Sequence, residues 1–311
     1  MGLGVSDRSG PPEPLAPGQY EGPNVALPEG ETAFDLPLGP VLLRVKNVPV
    51  PWAPFVTEHY GAFVSAPDDD AQPDVVVECR EEAGVVIPAP PRGGETVMEL
   101  ERERPGRYLI RSHWQDGFVD VGTGRAELVL TDRRYIPFRM SLENFLRAAG
   151  QLVLIERGAF LLHGAGILDG ERCFLLFGPS GAGKSTATAL SAPRRALSDD
   201  LVLVDLTGDR PRAHAVPFFG AFPPAERAPG AWPIAAAARL RQDTVDRLTP
   251  LPAARSVATV SASVPFVHEF GVQHERLTAE VARLCAAVPV FDLQFTKSAR
   301  FWDLLAGVGR K

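Results

Sequence analysis

A glycine-rich segment past the middle of the chain, GPSGAGKST (178–186), has residues suited to binding phosphate groups. It fits the pattern G-x-x-x-x-G-K-[ST] between an apolar run and a helix-favouring run, which is the context that the motif requires. Its glycines let backbone N–H groups turn toward phosphate oxygens, and the helix N-terminus adds donors and a favourable dipole. We expect Lys184 to contact the β- and γ-phosphates of ATP and Ser185 to bind Mg²⁺. The predicted nucleotide-binding residues are Gly178, Pro179, Ser180, Gly181, Ala182, Gly183, Lys184, Ser185 and Thr186.

Three aspartates after this segment are candidates for holding the metal ion. Asp205 ends the apolar run LVLVD (201–205), where switch-type NTPases place their metal-binding aspartate. Asp199 and Asp200 instead follow the short segment RALS (195–198). Two adjacent carboxylates can divide the work of phosphoryl transfer, because one holds the metal and the other accepts a proton from the attacking hydroxyl. The pair therefore favours a kinase, a single aspartate favours hydrolysis, and a solvated turn is the structural alternative.

The apolar pattern also predicts which elements position these residues. The runs 165–168 and 172–177 flank Asp169-Gly170, which is a strong signal for a β-hairpin. The second strand of that hairpin leads into the glycine-rich segment. His163 ends the apolar run before the hairpin and should lie beside the segment, where a catalytic role and a structural role are both open.

The rest of the chain divides by composition into a tail, a β-rich domain and an α/β domain. Residues 1–32 contain six prolines and six glycines and predict a flexible tail. Residues 33–140 contain short, partly alternating apolar runs typical of an antiparallel sheet. Residues 141–311 begin with a helix capped by Ser141 and ending at Gly158. Further predicted strands are 41–46, 74–79, 84–88, 96–102, 107–114, 126–131 and 290–295, and further predicted helices are 185–190, 275–288 and 298–307.

Composition limits the partners that the protein can have. A net charge of −6 and a pI near 5.6 argue against nucleic acid and against an anionic membrane surface, since both attract concentrated basic charge. No apolar run is long enough for a spanning helix. Three widely separated cysteines, Cys79, Cys173 and Cys285, favour a reduced cytoplasmic location over a disulfide framework. A homo-oligomer remains open.

Four segments occur in the order and spacing of a known family. They are HGAGI (163–167), FGPSGAGKST (177–186), LSDD (197–200) and VPFFG (216–220). In these segments the chain resembles the HPr kinase/phosphorylase family, which shares its nucleotide-binding fold with ATP-dependent phosphoenolpyruvate carboxykinase. It is similar in particular to HPr-kinase-related proteins of bacterial gene clusters, including the kinases that modify lasso peptides. The resemblance extends through VPVFDLQFTKSARFWDLL (288–305) and covers residues 141–305.

This resemblance implies an α/β (α+β) protein in which a β-rich N-terminal domain precedes an HPr-kinase/PEP-carboxykinase-like P-loop domain. It implies a kinase that uses ATP and Mg²⁺, with Ser185 and one of the two aspartates at the metal. Asp199 is the expected base and Asp200 the expected metal ligand, and the exchanged assignment is the alternative. His163 would lie near the transferred phosphoryl group, and Lys184 would contact the β- and γ-phosphates.

The expected acceptor is a serine or threonine of a peptide or small protein. A small-molecule kinase and an ATP-dependent binding module without transfer are the alternatives. HPr itself is not the expected acceptor, because GAFPPAERAPGAWPIAAAARL (220–240) stands where HPr kinases have a glycine- and basic-rich segment. Three basic residues are further candidates for contact with the nucleotide by their charge alone: Arg255, Lys297 and Arg300. Phe301 and Trp302 could stack on the adenine ring, but they are expected to pack in the core.

Overall fold

The computed structural model describes residues 33–49, 53–82, 98–130, 135–218, 220, 228–266 and 274–308. The tail expected at 1–32 and the strand expected at 84–88 lie outside the described residues. The described chain is a strand-rich mixed α/β protein with two mixed β-sheets. None of its described helices is long and apolar enough to cross a membrane.

The first sheet has seven strands in the order β1-β2-β3-β7-β6-β5-β4. Its strands show the expected alternation: in β5, Tyr108, Ile110 and Ser112 are buried and the residues between them are less so. One helix, α1 (Ala53–Tyr60), and a 3₁₀ turn (Gly61–Phe63) follow β2. The strands are β1 (Phe34–Leu38), β2 (Val41–Lys46), β3 (Val75–Glu81), β4 (Met98–Arg104), β5 (Arg107–Ser112), β6 (Gln115–Asp120) and β7 (Arg125–Leu130).

The long helix α2 (Tyr135–Glu156) connects the two halves of the chain. It begins before Ser141, so the expected cap at that residue is wrong: Ser141 is buried inside the helix. Pro137 falls in the first turn, where a helix does not need its missing N–H. The apolar face of α2, including Phe145 and Leu152, shares one hydrophobic core with the first sheet and with Leu203 of the second.

The second sheet has eight strands, and two long strands each pair with different partners along their length. Strand β8 (Ala159–Asp169) pairs with β11 up to His163, which lies opposite Leu201, and with β9 from Gly164 onward. The hairpin expected at Asp169-Gly170 is confirmed by this second pairing. The other strands are β9 (Arg172–Phe177), β10 (Ala196–Ser198), β11 (Leu201–Asp205), β12 (Arg212–His214), β13 (Ala231–Gln242), β14 (Arg247–Pro250) and β15 (Val290–Phe295).

Helices cover both faces of the second sheet around β9. Helices α3 (Lys184–Ala189) and α6 (Phe301–Leu305) pack on one face. Helices α4 (Ala253–Ser261) and α5 (His274–Ala287) pack on the other. The glycine-rich segment follows β9 at the edge between these two layers, so groups from both faces can reach it.

The observed bounds of the helices and strands show where the local sequence pattern was sufficient to predict them. Strands 41–46 and 290–295 are confirmed at both ends, whereas the last helix is shorter than the expected 298–307. Strand β13 was not expected, because its run of alanines favours a helix. It forms a strand between β9 and β15, where small side chains allow helices to pack closely on both faces.

Candidate functional site

The glycine-rich segment forms a loop between β9 and α3 that depends on glycine at specific positions. Gly183, just before α3, has φ of 100°, and a Cβ there would lie 2.8 Å from Cζ of Phe295. The hydrogen bonds of the loop leave the N–H groups of Gly181 and Gly183 without an acceptor among the described residues. Ser185 and Thr186 are exposed at the start of α3. The loop therefore presents free donors to an anion, as phosphate binding requires.

Lys184 lies folded over this loop. Its Nζ donates to the carbonyl oxygens of Gly178 at 2.9 Å and Pro179 at 3.2 Å. Burial lowers the pKa of Lys184, and the nearby charge of Asp200 opposes that shift. The ammonium group thus lies over the loop within the electrostatic influence of Asp200, and its hydrogen-bond acceptors within the described chain are backbone carbonyls.

His163 and Asp200 face each other where β8 changes partners. Nε2 of His163 lies 3.4 Å from Oδ1 of Asp200, and the two side chains are 44% and 28% exposed. The N–H of Gly164 donates to the carbonyl of Asp200 at 2.9 Å, which fixes the two backbones together. Burial, followed by the cation of Lys184, lowers the pKa of His163, and Asp200 opposes the shift. The imidazole is therefore neutral at neutral pH, next to a carboxylate and an ammonium group.

Arg147 of α2 completes this cluster, and the sequence alone did not single it out. Its guanidinium lies 3.5 Å from Oδ2 of Asp200 and also pairs with Glu143 one turn earlier on the helix. Nε of Arg147 is buried and has no hydrogen-bond partner among the described residues. The helix that packs on the first sheet thus places a cation beside Asp200 and His163.

The two adjacent aspartates differ in their surroundings. Asp200 is partly exposed and faces Lys184, His163 and Arg147. Asp199 is only 3% exposed, and its Oδ1 accepts a hydrogen bond of 3.1 Å from the N–H of Gly220. The carboxylate directed toward the loop is that of Asp200, and the expected base, Asp199, lies in the protein interior.

Asp205, the alternative metal ligand, lies at the opposite end of β11. It lies four residues along the strand from Leu201, which corresponds to about 13 Å. Its carboxylate lies 3.0 Å from Nε2 of His214 and accepts hydrogen bonds from the N–H and hydroxyl of Thr207. Asp205 thus closes a turn at the far end of the strand.

The residues near the loop fit a magnesium ion that is also held by phosphate oxygens. The described residues contain no group of three or more His, Cys, Asp or Glu side chains placed to bind a metal. Mg²⁺ in nucleotide sites needs only one or two protein oxygens, because phosphates and water supply the rest. The exposed hydroxyl of Ser185 and the carboxylate of Asp200 are such oxygens.

A cavity of about 620 Å³ opens beside the first residues of the loop. His163, Gly178, Pro179 and Arg239 line one side. Small and apolar residues from the end of α4 and the turn after it line the other, among them Ala258, Thr259, Ala262 and Ser263. The cavity includes neither Ser185 nor Thr186, so it adjoins the N-terminal half of the loop rather than the start of α3.

Of the remaining candidates for contact with the nucleotide, Phe301 and Trp302 lie in the core and Arg255 lies beside a carboxylate. Phe301 and Trp302 are buried, and Nε1 of Trp302 donates to Oγ of Ser191 at 3.0 Å, so these rings pack in the core as expected. Arg255, at the start of α4, lies 3.8 Å from the carboxylate of Asp292. Arg239 and Asp292 were missed, although two arginines, Arg239 and Arg241, alternate at the end of an otherwise apolar run (231–241), which is a sign of one polar sheet face.

Fold and site together define a strand-rich mixed α/β protein with a glycine-rich loop at the end of a central strand. The chain belongs to the family described as SynChlorMet cassette protein ScmC, which it matches over residues 146–308, more than half of its length. The matched range begins inside α2 and contains the loop, His163 and both adjacent aspartates. No curated protein matches the chain significantly.

The geometry of Gly183 leads to a first prediction. Gly183→Ala should abolish most ATP binding, because a left-handed φ costs about 1–2 kcal/mol for alanine and Phe295 must also move. Gly170→Ala is the matched control, since Gly170 also has positive φ but no atom within 4 Å of an added Cβ. Calorimetric titration with ATP and Mg²⁺ should show normal binding only for the control; equal binding by both variants would contradict the role of the loop.

Proposed function

We propose that this protein is an ATP- and Mg²⁺-dependent kinase that transfers the γ-phosphoryl group to a hydroxyl, most simply that of serine or threonine on a peptide or small protein. We also propose that residues 141–311 have the nucleotide-binding fold of HPr kinase and phosphoenolpyruvate carboxykinase. The observation that carries the proposal is the cluster of Asp200, His163 and Lys184 at the glycine-rich loop.

The position of Asp205 supports a kinase over a switch. A nucleotide switch needs its metal-binding aspartate at the strand end next to the loop. Here that aspartate is paired with His214 at the other end of β11, and Asp200 lies near Lys184 instead. Two adjacent carboxylates then lie at the end of β11 nearer the loop, one partly exposed and one buried.

Each residue of the cluster has a distinct role in this proposal. Lys184 would leave the carbonyls of Gly178 and Pro179 to bind the β- and γ-phosphates. Ser185 and Asp200 would hold Mg²⁺, which neutralises charge on the phosphate oxygens when bound. His163, neutral at neutral pH, would donate a hydrogen bond to the transferred group without adding a competing cation.

The transfer itself needs an acceptor for one proton. As the hydroxyl oxygen forms its bond to the γ-phosphorus, the bond from that phosphorus to the β–γ bridging oxygen breaks and ADP leaves. A carboxylate must take the hydroxyl proton. Asp199 is the predicted base, and Asp200 would have to take this role if Asp199 keeps its hydrogen bond to Gly220 throughout.

One contact favours a second candidate function, an ATP-dependent binding module. Arg147 touches Asp200 from a helix whose apolar face shares a core with the first sheet. A nucleotide that drew Asp200 toward Mg²⁺ would weaken this ion pair and so act on the first sheet. Tight ATP binding without transfer to any component of a cell extract would favour this function over a kinase.

The test of a kinase is transfer of labelled phosphate from γ-labelled ATP to a peptide fraction or a metabolite fraction, each resolved by mass spectrometry. His163→Gln should lower the transfer rate on the order of a hundredfold while changing ATP affinity little, because its hydrogen bond forms to the group in transit. His214→Gln is the matched control, since His214 pairs with Asp205 far from the loop. Label in metabolites alone would favour a small-molecule kinase, and an unchanged rate for His163→Gln would return that residue to a structural role.

A further inference from the structure

The cavity beside the loop continues along one face of α4. Ala258, Thr259 and Ala262 line it, and Arg255 precedes them at the helical spacing that places side chains on one face. The N–H of His163 donates to the carbonyl of Ser263 at 2.8 Å, which fixes the end of this face next to the cluster at the loop. From Ala262 back to Arg255 the helical rise amounts to about 10 Å.

Three arginines surround the carboxylate of Asp292 along this cleft. Arg239 lines the cavity beside the loop, and Arg255 lies at the other end of the α4 face. Arg239 and Asp292 are paired in register on neighbouring strands, and Arg241 lies two residues further on the same face. The guanidinium groups of Arg239 and Arg241 lie 3.5 Å and 3.8 Å from the Asp292 carboxylate, and that of Arg255 lies 3.8 Å from it. Oδ1 of Asp292 is buried and accepts no hydrogen bond from the described residues. These contacts are long for hydrogen bonds, so within the described residues the donors of the three arginines are free to bind another carboxylate.

We infer that this arginine cluster (Arg239, Arg241 and Arg255) binds a carboxylate of the acceptor, so that the kinase selects hydroxyl groups in acidic peptides. The inference rests on the proposed function and specifies its substrate class. An extended peptide advances about 3.3 Å per residue, so a cleft of about 10 Å separates the reacting hydroxyl from the acidic side chain by about three residues.

Charge and position both assign the cluster to the acceptor. Three guanidinium groups facing one carboxylate leave excess positive charge on a protein whose net charge is −6. Arginine binds carboxylates through two parallel hydrogen bonds, which the present distances to Asp292 do not provide. Arg255 extends from the face of the sheet opposite to α3, whose first residues are the predicted ligands of the nucleotide. The acceptor thus meets the arginines while the nucleotide occupies the loop.

A peptide library tests this selection directly. Each peptide would contain one serine with random residues around it, and the phosphorylated members would be sequenced after reaction with ATP and Mg²⁺. We expect Asp and Glu to be enriched severalfold about three residues from the serine on one side. Arg255→Gln should weaken this preference, and Arg255→Glu should abolish it because the cluster then has two arginines and two carboxylates, while melting curves confirm folding.

Arg210→Glu is the matched control, because Arg210 is an exposed arginine in the turn after β11, at the Asp205 end. It should retain the acidic preference of the native protein. Phosphorylation with no acidic preference, or the same preference in both Arg255 variants, would overturn this inference and leave the kinase intact. Failure to phosphorylate any member, with ATP hydrolysis or binding retained, would overturn the proposed peptide kinase and this inference with it.

Discussion

Lys184→Ala should abolish phosphoryl transfer while leaving the protein folded. Lys184 is partly exposed and contacts two carbonyls of its own loop, so its loss removes little packing. In the proposed reaction the same ammonium group stabilises charge on the β- and γ-phosphates. Loss of one such donor from a site of charge development costs on the order of a hundredfold or more in rate. ATP turnover, ATP affinity by calorimetry and a thermal melt together check this expectation.

The chain provides a matched control for this substitution. It has four lysines in all, and Lys46 lies at the end of β2 in the first sheet. Lys46→Ala should transfer phosphate at the native rate. A folded Lys184→Ala variant with native turnover would remove the nucleotide role of the loop, and an unfolded one would show that the two carbonyl contacts of Lys184 hold the fold together.

The structural context of the glycine-rich motif could be predicted because it depends on neighbours in sequence. The Asp169-Gly170 turn, the apolar run before Gly178 and the helical run after Ser185 are each local signals, and together they predict a hairpin, loop and helix. The structure has these elements, with β9 ending at Phe177 and α3 beginning at Lys184. Short-range geometry therefore determined most of this part of the molecule.

The rest of the candidate site depends on contacts that local patterns cannot reveal. Arg147 reaches Asp200 only because α2 packs where β8 changes partners. The difference between Asp199 and Asp200 arises from the approach of Gly220, which comes from a later segment of the chain. Strand β13 is likewise a strand because it lies between β9 and β15, against the preference of its alanines.

Substitutions of the three aspartates therefore distinguish a kinase from a nucleotide switch more clearly than substitutions in the loop do. All three changes to asparagine keep the side-chain shape and remove one charge. In Asp199→Asn the amide oxygen of the new side chain can still accept the hydrogen bond from Gly220, while the side chain can no longer take up the proton of the hydroxyl. Asp200→Asn removes the charge that faces Lys184 and the proposed magnesium site.

For Asp199→Asn we expect nearly native binding of ATP with Mg²⁺ and a loss of about a hundredfold or more in transfer, since general-base catalysis contributes that much. For Asp200→Asn we expect weaker binding of ATP that depends on Mg²⁺, because a metal ligand loses its charge. Asp205→Asn serves as the control: it should weaken only the pairing with His214 and leave both binding and transfer unchanged. Calorimetry with and without Mg²⁺, alongside a transfer assay, distinguishes the three.

Two other patterns would each have a definite meaning. If Asp199→Asn transfers at the native rate and Asp200→Asn loses both metal binding and transfer, then Asp200 is the base and Asp199 positions the segment at Gly220 from the interior. If instead Asp205→Asn destroys Mg²⁺-dependent binding and both neighbours tolerate the change, the metal lies at the other end of β11. That outcome would make the protein a nucleotide switch, because no carboxylate pair would then face the acceptor hydroxyl.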